Sequence, residues 1–118
     1  MSSAAKSILA FAAYMLLLGA ALVVAPNPLL VLFGVPATTE VWIRLIGVLV
    51  LCLSYYYVLA ARRELVAFFR GTVHGRLFVV ASIVAFVLLG LAPPVLLVFA
   101  AIDLAGALWT AASLRRAS

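Results

Sequence analysis

Polar residues interrupt this chain only at long intervals, and four stretches, 7–25, 41–61, 75–92 and 94–114, are almost wholly apolar. A helix rises roughly 1.5 Å per residue, so roughly 17–25 apolar residues cross a hydrocarbon core of about 30 Å. Each stretch therefore predicts a membrane-spanning helix. Pro26-Asn27-Pro28 stops the first, and Thr38 or Thr39 is a fitting N-cap just ahead of the second. Pro93 and Pro94 separate the last two, with Pro94 suited to a first helical position. So short a connection makes the third and fourth helices antiparallel neighbours.

Two connections contain more than a turn. Segment 26–40 includes Leu29-Leu30-Val31-Leu32-Phe33-Gly34-Val35, too apolar to sit in water and too short to span. It predicts a short interfacial or re-entrant helix. Segment 62–76 mixes Leu65, Val66, Phe68 and Phe69 with four arginines, the composition of an amphipathic stretch at headgroup level. Here the expectation is that the second helix continues until Gly71 ends it.

Composition agrees with lipid as the solvent. Of 118 residues, 69% are hydrophobic and 9% charged, against about 45–50% and about 25% in a soluble domain. The fold class that follows is all-α, a single integral membrane four-helix bundle. Lys6 ahead of an apolar run imitates a signal peptide, yet 7–25 is longer than the roughly 7–15 residues of such a core. Three further apolar runs follow it, so it reads as a retained helix.

Charge placement sets the expected orientation. Lys6, Arg62, Arg63, Arg70, Arg76, Arg115 and Arg116 fall on one side, and Glu40 falls on the other. The positive-inside rule makes this N-in/C-in, in a cell (inner or plasma) membrane with both termini cytoplasmic. The net charge of +5 is thereby explained by topology and anionic headgroups, with no nucleic acid implied.

One cysteine, Cys52, excludes an internal disulfide or a Cys-x-x-Cys redox pair. One histidine, His74, excludes bis-histidine haem, and its place in a loop suits a solvated or headgroup-facing residue. No catalytic residue, metal site or cofactor is indicated, and the reading is non-enzymatic.

The polar residues that lipid should exclude are the informative ones. Asp103 lies midway along the fourth helix, where a carboxylate costs roughly 2.5–3.5 kcal/mol on the lenient insertion scale. It should face the bundle and find a partner. At about 100° per residue it shares a face with Ala100, Gly106, Ala107 and Thr110, small residues that admit another helix. Arg44, in the second helix, is the expected partner, either as a structural ion pair or at the polar end of a ligand cavity. Tyr55 lies on the Arg44 side of that helix, whereas Tyr55, Tyr56 and Tyr57 together point in three directions. Arg44, Asp103, Tyr55, Gly106 and Thr110 are the candidate ligand-binding residues.

Several known architectures fit poorly. Small multidrug exporters rely on a first-helix glutamate that 7–25 lacks. Fluoride channels carry an asparagine and threonine track that is missing here, and vitamin K reductase-type enzymes need paired cysteines. The order of features instead resembles the DoxX-like superfamily of small four-helix membrane proteins. The resemblance covers nearly the whole chain: Pro26-x-Pro28, Leu32-Phe33-Gly34-Val35-Pro36, Trp42-x-Arg44-x-x-Gly47, Tyr56-Tyr57, Ala60-Ala61-Arg62, Gly75-Arg76 and Asp103-x-x-Gly106-x-x-Trp109-Thr110. It implies an interior pocket faced by Arg44 and Asp103, in a family some of whose members serve quinone- or sulfur-linked oxidoreductases.

The leading expectation is thus a non-enzymatic membrane protein that binds a lipid or other hydrophobic small molecule in an intramembrane pocket. Its partners are membrane lipids and that ligand, with a homo-oligomer or larger complex left open. Two alternatives stand beside it. One is an accessory or scaffold subunit, including one of a quinone-linked oxidoreductase, docking through Gly19-Ala20-Ala21 and Gly106-Ala107. The other is an oligomeric small-solute transporter.

Overall fold

The computed structural model describes residues 1–117, and among these every regular element is helical. In chain order they are α1 (Ser3–Val24), α2 (Pro26–Leu32), α3 (Trp42–Arg62), α4 (Val66–Leu88), a 3-10 turn (Pro94–Leu96) and α5 (Leu97–Ala117). Four of them, with the 3-10 turn leading into the last, are long and apolar enough to cross a membrane.

The helix ends follow from local chemistry. Ser2 caps α1, its hydroxyl accepting from the Ala5 amide at 3.0 Å. Prolines at the start of α2 sacrifice only amides that would lack helical partners anyway. Three helices end in the same reversal, in which one residue turns left-handed and two amides bond back to the last turn. Gly34 (φ 72°) does this for α2 and Gly90 (φ 76°) for α4. At the end of α3 the position is held by Glu64 (φ 50°), with Leu65 N–H donating to Ala60 O at 3.0 Å.

Two helices differ from the sequence expectation. α4 begins at Val66 and runs unbroken through Gly71 and Gly75, where 62–76 was expected to extend the second helix and the third to begin at 75. A helical glycine costs only about 1 kcal/mol relative to alanine, too little to break a helix whose backbone has no water to turn to. The same helix stops at Leu88, because Gly90 ends it before Pro93 is reached. The last span opens with 3-10 geometry at Pro94 before α5 begins.

The residues group into two compact units, Leu9–Leu59 and Met1–Ile8 with the chain from Ala60 onward. In the first, α1 and α3 run antiparallel, as their paired residues show: Phe11 meets Tyr57, Ala12 meets Ser54, and Gly19 meets Gly47. Phe11 and Tyr57 rings lie 5.9 Å apart, and the buried Ser54 hydroxyl donates to Ala12 O at 3.1 Å. A Cβ on Gly47 would lie 2.9 Å from Gly19 O, so backbone rather than side chain sets the distance between these helices. In the second unit α4 and α5 pack antiparallel, with Ala4, Ala5, Ile8, Ala60, Ala61, Phe69, Ala100 and Ala107 buried.

Candidate functional site

The second unit buries an arginine. Arg76 stands ten residues into the 23-residue helix α4 and is 3% exposed. Its Nε donates to Thr72 O at 3.2 Å, and its Nη2 donates to Thr72 Oγ1 at 3.0 Å and to Thr110 Oγ1 at 2.9 Å. Thr72 is one turn earlier on the same helix, so the i, i+4 spacing folds the guanidinium back along α4. Thr110, completely buried, receives it from α5.

The hydroxyls have a definite order. Thr72 spends its hydrogen on Phe69 O at 2.7 Å, so it accepts from Arg76. Ser7 spends its own on Ala4 O at 2.6 Å. The 2.6 Å bond between Ser7 and Thr110 must then be donated by Thr110, which accepts from Arg76 in turn. A further hydroxyl pair, Ser3 with Ser113 at 3.0 Å, lies one turn along α1 and α5 from Ser7 and Thr110.

At the end of this polar track the Ser2–Glu64 clasp closes the unit. Ser2 N–H donates to Glu64 Oε2 at 2.9 Å and its hydroxyl to Oε1 at 2.6 Å. The hydroxyl bond first, and the amide bond second, hold the Glu64 carboxyl below its ordinary value of 4.5. A cavity of about 220 Å³ opens here between Ser2, Ser3, Glu64, Arg70 and Ser113.

A second cleft, of about 270 Å³, lies between α4 and α5. Arg70, Val73 and His74 line it from α4, and Ala111, Leu114 and Arg115 from α5. Each triplet follows i, i+3, i+4 spacing, so each forms one continuous helix face. The cationic or basic side chains are exposed and the apolar ones half-buried, giving a basic rim over an apolar floor.

The five candidates read from the sequence are distributed between the units. Arg44 donates its guanidinium to Val23 O, and at 3.4 Å to Val24 O, capping the carbonyl end of α1. Asp103 is half-buried on α5, in the unit that also holds Arg76 and within its electrostatic reach. Arg44 thus finds its acceptors at the end of α1. The physical reason is that a helix end offers bare carbonyls, which a long guanidinium satisfies without burying a carboxylate.

Tyr55 is 63% exposed, its ring against Tyr56, while Tyr57 is the buried member of the triplet. Gly106 is half-buried on α5, and Thr110 is the hub of the hydroxyl ladder. The small-residue faces considered for a docking partner are occupied internally at Gly19 and Ala107. In the sequence Arg70 and Arg76 belong to the stretch expected at headgroup level, and Arg115 to the charges that set topology. The signal for Arg76 was nonetheless present as Thr72-x-x-x-Arg76. No protein-family model, curated protein or solved structure matches this chain.

Proposed function

We propose that this is a non-enzymatic, multi-pass protein of the cell membrane that binds a lipid-like amphiphile. The polar end sits in the Arg70–His74–Arg115 cleft, and the apolar part lies along α4 and α5. The observation that carries this reading is the cleft itself, with a basic rim, an apolar floor and, among the described residues, no carboxylate in its lining. That is the polarity of a headgroup joined to a chain.

Orientation supports it. Lys6, Arg62, Arg63, Arg70, Arg115 and Arg116 flank one set of helix ends, and Glu40 lies in the connection between α2 and α3 at the other. By the positive-inside rule both termini are cytoplasmic, and the cleft opens at the inner headgroup level. Arg76 belongs to the interior instead of the anchor set. The resemblance to DoxX-like proteins implies an interior pocket in a four-helix bundle, and here the polar residues at the ligand move from Arg44 and Asp103 to the end of α4 and α5.

Native mass spectrometry of the protein released from lipid nanodiscs tests the reading. One amphiphile retained per chain, and enriched over its share of the bilayer, is the expected spectrum. Adducts in simple proportion to bulk lipid would sink it and favour an accessory subunit awaiting its partner.

A further inference from the structure

We infer that the α4–α5 cleft takes a phosphate monoester, the group found on a phosphatidic acid headgroup or on a soluble phosphate. The inference rests on the binding reading above and names the chemistry of its polar end.

The argument is one of charge and number of donors. Two guanidinium groups, Arg70 and Arg115, stand on opposite helices over one cleft. A guanidinium is permanently charged and presents a planar fork of N–H donors suited to phosphate oxygens. A phosphate monoester carries about −1.5 to −2 at pH 7, with three terminal oxygens to share between two forks. A diester carries only one charge and two such oxygens, so one of the two arginines would be poorly matched. His74, four residues after Arg70 on the same helix face, supplies a third donor.

The neighbouring cavity shows by contrast why this cleft is the anion site. It shares Arg70 and Leu114 but adds the Glu64 carboxylate, which the two bonds from Ser2 keep ionised. An anion there would meet a fixed negative charge across about 220 Å³ of space. Val73, Ala111 and Leu114 give the cleft a floor on which the glycerol and first methylenes of a lipid can rest. Ala111 leaves the room, since a longer side chain at that position would fill the groove between the arginines.

The test is native mass spectrometry from nanodiscs holding equal fractions of phosphatidic acid, phosphatidylglycerol and phosphatidylcholine. Phosphatidic acid should be retained about fivefold over phosphatidylglycerol, the worth of one additional charge-assisted interaction. Arg70→Gln with Arg115→Gln should reduce that retention about tenfold or more, while Arg63→Gln, outside the cleft, should leave it unchanged. Circular dichroism of the double variant checks that the helices persist, and Ala111→Leu, which keeps every charge, should block retention by volume alone.

Millimolar inorganic phosphate separates the two sources. Failure to displace the lipid supports a headgroup site, and displacement supports a soluble phosphate monoester as the occupant. Equal retention of phosphatidic acid and phosphatidylglycerol would overturn the monoester inference while leaving amphiphile binding intact. Retention of no lipid and no phosphate would overturn both.

Discussion

The guanidinium of Arg76 donates to the hydroxyl of Thr110 at 2.9 Å, joining α4 to α5 at a level where neither side chain is open to its surroundings. The cation is thereby tied to a chain of hydroxyls that reaches a third helix, since Ser7 of α1 continues it through Thr110.

Thr110→Val keeps the shape of this hub and removes both its functions. Arg76 loses one acceptor and Ser7 loses its donor, in a place where water cannot replace them. Unfolding in detergent should show a loss of about 1–3 kcal/mol, and Thr110→Ser should recover most of it. A Val variant as stable as the parent would mean that the ladder contributes nothing to folding.

The glycines divide into two classes that a single scan distinguishes. A Cβ on Gly19 would lie 3.0 Å from Gly47 O and 2.9 Å from Leu51, and one on Gly47 would lie 2.9 Å from Gly19 O. Alanine at either position must push α1 and α3 apart, and should lower stability by about 1–3 kcal/mol. Nothing lies within 4 Å of a Cβ on Gly71 or Gly75. Alanine there should raise stability by about 0.5–1 kcal/mol through helix propensity. Thermal unfolding midpoints of the four variants, compared in one detergent, settle the order.

The Ser2–Glu64 clasp should be sensitive to acid. Glu64 has a folded value below its ordinary 4.5, so the contact is fully made above that value and lost as the pH falls through the lowered one. Amide exchange in the first turn of α1, corrected for intrinsic rates, should accelerate over that acid window. Glu64→Gln should remove the pH dependence, because an amide oxygen still accepts from Ser2 but does not titrate. Glu64→Gly should relax the left-handed backbone at φ 50° and at the same time abolish the clasp. Unchanged exchange across the window in the parent chain would show that Ser2 is held by its capping bonds alone.

How far the sequence carries can be read from particular residues. α1 and α3 were legible because an uninterrupted apolar run of spanning length has no other stable form in lipid. The short helix in segment 26–40 was legible from its apolar run between breakers. What misled was 62–76, where Arg70, Gly71, Gly75 and Arg76 resemble the punctuation of a loop. Helical hydrogen bonding outweighed two glycines, and Thr72 gave Arg76 an oxygen one turn away, so α4 took in the segment from Val66 onward. Asp103 stands out in the sequence as a carboxylate within an apolar run, whereas the burial of Arg76 does not. The α4–α5 cleft was out of reach for a different reason. It requires knowing that Arg70 and Arg115 stand over the same groove, and helix periodicity describes one helix at a time.

The order of the hydroxyl ladder has a consequence for traffic across the membrane. Arginine offers no lone pair to accept with, and the Ala4 carbonyl at the far end has no hydrogen to give. Every hydrogen from Arg76 through Thr110 and Ser7 to Ala4 therefore points the same way, and none can turn over. A Grotthuss wire must reverse each link after a proton has hopped along it, or it carries one charge and jams. This ladder is accordingly a frozen dipole, a strut that polarises its surroundings, and any protons that cross this protein take another road.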